Sequence, residues 1–241
     1  MAEKLKTLQA PDGEGLLLVD KPARLTSHDV VDWARRVSGI RRIGHTGTLD
    51  PLATGLMILL IGRQYTKLQA NYLKQDKTYL CSAQLGITTD TYDLEGEIIQ
   101  RTAWEKVRQV TESDLRTALA NFRGAINQTV PPFSAVKKDG KKLYEIARRD
   151  GIKAIELPVR PVMIHQLKLL DYQLADSRQK ITFTLEISCS SGTYIRSLIH
   201  DLGQTLKTGA TVKTLRRTRI GTFSLTEATI CPLSQQFFHQ N

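Results

Sequence analysis

The sequence predicts an α+β fold, built as a single domain over residues 1–241. Apolar and polar side chains alternate from Ile181 to Ser188, as they do in a half-buried strand. Apolar residues also recur at helical spacing within residues 27–39 and 193–203. Strands and helices intermix without the regular alternation of a doubly wound sheet, and no linker-like segment divides the chain.

The first elements enclose a loop that is rich in Gly and Thr. Residues 15–20 indicate a short buried strand, which Lys21-Pro22 ends. Thr26 or Ser27 is expected to cap a helix that closes at Gly39. The predicted apolar face of this helix consists of Val30, Val31, Ala34 and Val37. The loop, residues 44–55, leads directly into an apolar strand over residues 56–61.

The middle of the chain continues the mixture of elements. A helix is predicted over residues 66–74 and a strand over residues 78–85. One face of that strand carries Tyr79, Cys81, Ala83 and Leu85. Ser113 is expected to start a further helix, which ends at Gly124.

A basic arm over about residues 131–151 follows. It opens with Pro131-Pro132, turns at Asp139-Gly140 and continues as two helical turns over residues 143–149. Four lysines surround the turn: Lys137, Lys138, Lys141 and Lys142. The arm has little apolar face of its own, so we expect it to protrude.

The last elements are the alternating strand, a helix and an extended segment. Ser190-Ser191-Gly192 turns the chain, and Thr193 is expected to cap a helix that ends at Gly203. The extended segment runs over residues 210–223 and carries several basic side chains.

The charge of the chain points to a polyanionic partner. The formal net charge is +10 and the isoelectric point is near 9.6. The first hundred residues are balanced, whereas residues 101–150 hold 11 Lys and Arg against 6 Asp and Glu. A solvated basic surface that binds nothing is the alternative interpretation of charge alone.

Several classes of protein are disfavoured. The three cysteines are far apart and form no C-x-x-C pair, which indicates a reducing, cytoplasmic location rather than a disulfide framework. The longest apolar run is far below the roughly 20 residues of a membrane helix. The histidines show no metal-binding spacing, and no Walker loop, dinucleotide fingerprint or serine nucleophile elbow occurs. We therefore expect no metal, no cofactor and no membrane contact.

Asp50 is the leading candidate for chemistry. It lies in a stiff loop beside a buried strand, among hydroxyls, glycine amides and the imidazole of His45. An Asp-Pro turn or a helix cap is the structural alternative. Arg196, in the first turn of the predicted helix, could hold the carboxylate ionised, although the pattern alone favours a surface arginine. Tyr79 has a core position by default but could stack on a base, and Lys77 is expected to be solvated.

The motifs together resemble those of the TruB-type pseudouridine synthases. The loop Gly44-His45-Thr46-Gly47-Thr48-Leu49-Asp50-Pro51-Leu52-Ala53-Thr54-Gly55 is similar to the catalytic motif of that family. Further matches, in the same order as in the family, are Asp20-Lys21-Pro22 with Thr26-Ser27-His28, Lys77-Thr78-Tyr79, Thr88-Thr89-Asp90-Thr91-Tyr92-Asp93, Pro131-Pro132, Gly192-Thr193-Tyr194-Ile195-Arg196 and Leu215-Arg216-Arg217.

The resemblance implies a mostly antiparallel mixed sheet flanked by helices, and an enzyme that converts uridine 55 in the T-loop of tRNA to pseudouridine. It implies that Asp50 is the catalytic carboxylate, as nucleophile or as base, that Tyr79 stacks on uracil and that Arg196 pairs with Asp50. His45 would meet the RNA loop that the base has left, Leu215 would line the uracil pocket, and Lys77 and the four arm lysines would contact substrate.

The resemblance also implies a bacterial, standalone enzyme that needs no protein partner, no metal and no cofactor, and we expect a monomer. The residues after Phe223 are expected to be too few for the RNA-binding PUA domain of many relatives. Arg24 stands where the family usually has Gly, so we expect the local turn to relax or to differ. A synthase for another RNA uridine, a guide-dependent one, and a non-catalytic RNA chaperone are the alternatives.

Overall fold

A computed structural model describes residues 7–9, 13–152, 155–175, 177 and 179–231. The chain forms two compact units. The first comprises the residues up to Leu80 together with those from Leu215 onward, and the second comprises Cys81–Thr214. The segment after residue 231, on which the expected absence of a PUA domain rests, lies outside the described residues.

The first unit contains a mixed sheet flanked by three helices. Its strands are β1 (Thr7–Gln9), β2 (Gly15–Lys21), β3 (Ile43–His45), β4 (Thr54–Ile61), the start of β5 (Lys77–Leu85), the end of β13 (Ala210–Ile220), β14 (Phe223–Ser224) and β15 (Thr229–Ile230). Its helices are α1 (Ser27–Ser38), α2 (Arg63–Thr66) and α3 (Gln69–Leu73), and a 3-10 turn covers Leu225–Glu227. β4 pairs antiparallel with β2 and β3 and parallel with β13.

Local signals explain the first elements. Thr26 caps α1 by accepting a hydrogen bond from the Asp29 amide, and Gly39 ends the helix in the left-handed conformation at φ 72°. Strand β2, which precedes α1, and strand β4, which follows the Gly- and Thr-rich loop, form where they were predicted. Val37 is 49% exposed, so its predicted place on the apolar face is wrong; Trp33 is buried instead. The helix predicted over residues 66–74 forms as the two short helices α2 and α3.

The second unit is an antiparallel sheet with helices and short hairpins. Its strands are the end of β5, β6 (Ile87–Thr89), β7 (Ile98–Arg101), β8 (Gly124–Thr129), β9 (Lys137–Lys138), β10 (Lys141–Lys142), β11 (Val159–Ala175), β12 (Lys180–Cys189) and the start of β13. Its helices are α4 (Trp104–Val107), α5 (Glu112–Ala120), α6 (Leu143–Asp150) and α7 (Ile195–Thr205). β11 pairs antiparallel with β8 and with β12.

The helix after β12 differs from its prediction at both ends. Tyr194, rather than Thr193, occupies the N-cap of α7, and the Thr193 hydroxyl donates to the Ser190 carbonyl instead. Gly203 lies inside the helix instead of after it. A Cβ there would stand 2.1 Å from the backbone nitrogen of Ala210. The glycine therefore permits a close approach of the following chain rather than ending the helix.

Candidate active site

The Asp50 loop connects β3 to β4, and the backbone on both sides of Asp50 is anchored. Ser27 Oγ accepts from the Leu49 amide at 2.8 Å and donates to the Leu49 carbonyl at 3.1 Å. The Pro51 carbonyl accepts from the Arg24 amide at 2.8 Å and from Lys21 Nζ at 3.3 Å. The half-buried carboxylate of Asp50 thus stands on a loop whose position is set by α1 and by the end of β2.

Arg24 occupies the position where the resemblance predicts Gly, and it adopts the conformation that Gly would favour. Its φ is 69°, in the left-handed region. The expectation that the turn relaxes or differs is therefore wrong. Arg24 in this conformation donates its amide to the Pro51 carbonyl. The backbone strain of a side chain at positive φ therefore lies at a residue that anchors the loop.

Tyr79 and Lys77 lie on β5, and both are buried at 8% and 6% exposure. Lys77 Nζ donates to the carbonyl of Leu73 at 2.7 Å and also to that of Gln75. The expectation that Lys77 is solvated is wrong, because its ammonium binds the carbonyls at the end of α3. This placement fixes the start of the strand that carries Tyr79.

His45 ends β3 and is half-buried. Its carbonyl accepts from Gln69 Nε2 at 2.9 Å, and its buried Nδ1 has no hydrogen-bond partner among the described residues. Burial, and then the charges of Arg217 and His28, lower the pKa of His45 below its usual value. The imidazole is therefore neutral near pH 7, which suits stacking on a base.

Leu215 lies on β13 beside the beginning of β4. It is 6% exposed, and its carbonyl accepts from Thr54 Oγ1 at 3.5 Å. Five of the predicted site residues thus belong to the first unit: His45, Asp50, Lys77, Tyr79 and Leu215.

Arg196 belongs to the second unit and is 5% exposed in the first turn of α7. Its guanidinium donates from Nη1 to the Thr91 carbonyl at 2.7 Å and from Nη2 to the Phe133 carbonyl at 3.0 Å. Its Nε lies 3.7 Å from Asp93 Oδ2. The interpretation of Arg196 as a surface arginine is therefore wrong. Its pairing with Asp50 stays a prediction.

Asp93 is a buried partner of Arg196 that sequence reasoning did not single out. Its Oδ1 accepts from Thr91 Oγ1 at 2.7 Å and from the Glu95 amide at 3.1 Å, so its carboxylate is held in place. The motif of residues 88–93 marked this segment, but nothing in the spacing linked it to an arginine a hundred positions later.

The basic arm forms a hairpin and a helix. β9 and β10 pair around Asp139 and Gly140, which both have positive φ, and α6 follows directly. Lys137 and Lys141 are exposed, whereas Lys138 forms an ion pair with Glu156 and Lys142 contacts the Tyr144 hydroxyl. α6 buries Leu143 and Ala147, so the arm has more apolar contact than expected.

Other observations concern cofactors and membranes. Among the described residues, no group of three or more His, Cys, Asp and Glu side chains is placed to hold a metal ion. Cys81, Cys189 and Cys231 are buried thiols, and burial raises the pKa of Cys81 to about 12. Every helix in the described part of the chain is too short or too polar to cross a membrane.

Two family models match adjacent parts of the chain. The model described as TruB family pseudouridylate synthase (N terminal domain) matches residues 35–195. The model described as tRNA pseudouridylate synthase B C-terminal domain matches residues 196–240.

Curated relatives with the name tRNA pseudouridine synthase B match most of the chain. The protein of Corynebacterium jeikeium is 42% identical over 214 residues, which is 89% of this chain and 68% of the relative. That of Chlamydia trachomatis serovar L2 is 45% identical over 212 residues, covering 88% of this chain and 83% of the relative.

Solved structures share the fold. A Cbf5–Nop10–Gar1 complex contains a chain that matches with a TM-score of 0.67 at 26% identity, over 91% of this chain and 53% of that one. A chain of an H/ACA ribonucleoprotein bound to a substrate RNA containing 2′-deoxyuridine matches with a TM-score of 0.63 at 22% identity, over 93% of this chain and 58% of that one. This chain spans slightly more than half the length of each.

The anchored Asp50 loop, the order of the motifs and the extent of these matches agree with one another. The protein belongs to the TruB family of pseudouridylate synthases.

Proposed function

We propose that this protein isomerises uridine 55 in the T-loop of tRNA to pseudouridine. The observation that carries the proposal is the Asp50 loop, whose sequence matches the catalytic motif of the family and whose backbone is fixed at Leu49 and Pro51. Relatives that are 42% and 45% identical bear the name tRNA pseudouridine synthase B, which supports the choice of tRNA as substrate.

The reaction breaks the bond between uracil N1 and ribose C1′ and forms a bond from C5 to C1′. The C5 proton is lost and N1 gains one, so substrate and product have the same composition and no oxidant or reductant is required. The Asp50 carboxylate acts at the sugar, as nucleophile or as base. Arg196 keeps that carboxylate ionised and directed, in addition to its contacts within its own unit.

The target base has to leave the RNA loop before Asp50 can reach the sugar, at a cost of a few kcal/mol. The buried ring of Tyr79 stacks on the extruded uracil, and Leu215 packs against it. The neutral imidazole of His45 stacks in the place that the base has left. Lys77 contributes indirectly, because its hydrogen bonds fix the start of β5, the strand that carries Tyr79.

The arm lysines supply binding energy through phosphates. Lys137 and Lys141 are exposed and available for such contacts, and Lys138 and Lys142 join them when their local partners exchange for phosphate oxygens. We place the enzyme in the cytoplasm, where its three buried thiols are stable, and describe it as a monomer that acts without a protein partner, a metal or a cofactor.

The test is to incubate the purified protein with an unmodified tRNA transcript, without metal or cofactor supplementation, and to map pseudouridine chemically. Pseudouridine at position 55, and its absence with Asp50→Asn, is the expected result. Modification at another position, or only in the presence of a guide RNA, would contradict the assignment. Light scattering on the active preparation checks the monomer.

A further inference from the structure

Arg217 is a buried cation in the first unit, on β13, and it is 2% exposed. Its Nε donates to the Leu56 carbonyl at 2.7 Å and its Nη2 donates to the Gly47 carbonyl at 3.1 Å. Within the described part of the chain, these bonded partners are carbonyls, and no carboxylate forms an ion pair with this guanidinium. Burying a cation without a counter-charge is unfavourable, so these carbonyl dipoles have to compensate the charge.

The backbone around Arg217 is fitted to this contact. β13 runs parallel to β4 with Arg217 opposite Gly55, where a Cβ would lie 2.3 Å from the Arg217 carbonyl oxygen. Only glycine allows the two strands to approach so closely. The guanidinium then reaches past β4 to Gly47, where a Cβ would stand 3.5 Å from Nη1.

This contact adds to the anchoring of the Asp50 loop on the side where the chain enters it. Ser27 holds Leu49 before Asp50, Arg24 and Lys21 hold Pro51 after it, and the Thr46 amide donates to the Ile58 carbonyl of β4 at 3.1 Å. Gly47, three residues before Asp50, has a φ of 127°, a backbone conformation that residues with a side chain rarely adopt. The two nitrogens of Arg217 tie this entering segment to β4. A lysine would not reproduce the contact, because its three donors lie on one flexible atom instead of on a planar fork.

We propose that Arg217 is a positioning residue that sets the direction of the Asp50 carboxylate by fixing the Gly47 end of its loop to β4. The role rests on the proposed function, because the carboxylate matters for that reaction. The same guanidinium acts on His45, whose pKa it helps to lower, and this supplies a second readout that needs no catalysis.

The experiment compares wild-type protein with Arg217→Gln and Arg217→Lys. Gln keeps one amide donor for the two carbonyls, and both variants are assayed at a temperature at which circular dichroism shows them folded. Single-turnover formation of pseudouridine should nevertheless slow by at least about tenfold in both variants, with tRNA affinity within about threefold. Arg219→Lys, on the same strand but exposed, is the matched control and should keep the wild-type rate.

An NMR titration of His45 separates the two proposals. Arg217→Gln should raise the pKa of His45 even if wild-type protein proves to act on another nucleotide, in which case only the proposed function fails. A wild-type rate in folded Arg217→Gln overturns the positioning role. So does an equal loss of rate and affinity, which would make Arg217 a binding residue, or an unchanged pKa of His45.

Discussion

Arg196 and Asp93 form a buried ion pair within the second unit. Arg196 Nε and Asp93 Oδ2 lie 3.7 Å apart, and the two side chains are only 6% and 7% exposed. The same guanidinium donates to the carbonyls of Thr91 and Phe133, and these contacts fix its plane. A cation held in this way has a defined direction before any RNA is bound.

Replacing Arg196 with Ala should reduce activity more than affinity. The substitution leaves Asp93 buried without this partner, so the free energy of unfolding should fall by roughly 3 kcal/mol. Single-turnover rates and tRNA dissociation constants are measured at a temperature where the variant is folded. Arg123→Ala, an exposed arginine of the same unit, is the control. A parallel loss of rate and affinity would assign Arg196 to binding.

Asp50→Asn should abolish pseudouridine formation, with a loss of at least about a thousandfold, while tRNA affinity changes only a few-fold. The amide has nearly the same shape as the carboxylate, and the loop bonds at Leu49 and Pro51 do not involve the side chain. The measurements are a single-turnover assay and filter binding. Appreciable turnover by the folded variant would remove Asp50 from the mechanism.

Combined replacement of the four arm lysines, Lys137, Lys138, Lys141 and Lys142, with Ala should weaken tRNA binding and flatten its salt dependence. Each lost phosphate contact lowers the slope of log K against log salt by up to about one unit. Lys138 and Lys142 have local partners, so most of the change should follow Lys137 and Lys141.

The control for the arm variant is Lys106→Ala with Lys168→Ala, which removes two exposed lysines from other elements of the second unit. This pair should retain the wild-type slope. If the arm variant also keeps the wild-type slope, the arm does not touch RNA phosphates.

Arg24→Gly should stabilise the protein by about 0.5–1 kcal/mol. The left-handed conformation costs a side chain roughly 1–2 kcal/mol, which the greater freedom of glycine in the unfolded chain partly offsets. Urea unfolding measures the change. Arg24→Ala, which removes the guanidinium but keeps the strain, should give no such gain; an equal gain would trace the effect to charge instead of backbone.

The half-buried carboxyl group of Asp201 should lower the free energy of unfolding as the pH rises. Burial raises the pKa of Asp201 to about 6 in the folded protein, above its ordinary value of 3.8. Between these values the unfolded chain releases a proton that the folded protein retains, so the contribution is favourable at low pH and is lost as the pH rises through about 6. Asp201→Asn should therefore raise the melting temperature at pH 8 more than at pH 4. An equal shift at both pH values would contradict this origin.

The sequence by itself determined the features that depend on near neighbours. The cap at Thr26, the left-handed stop at Gly39 and the alternation along β12 follow from residues within a few positions of one another. The loop motif around Asp50 is also local, and together with the order of the other motifs it was sufficient to predict the family.

Tertiary structure decided what depends on contacts between distant residues. Arg196 reaches Thr91 across 105 positions, Arg217 reaches Gly47 across 170, and the backbone at Ala210 passes too close to Gly203 for a side chain there. The burial of Lys77 and the positive φ of Arg24 are further examples. The spacing of residue types along the chain indicates local conformational preferences. These features arise instead from packing between segments that are distant in the sequence, and that packing forms only in the folded protein.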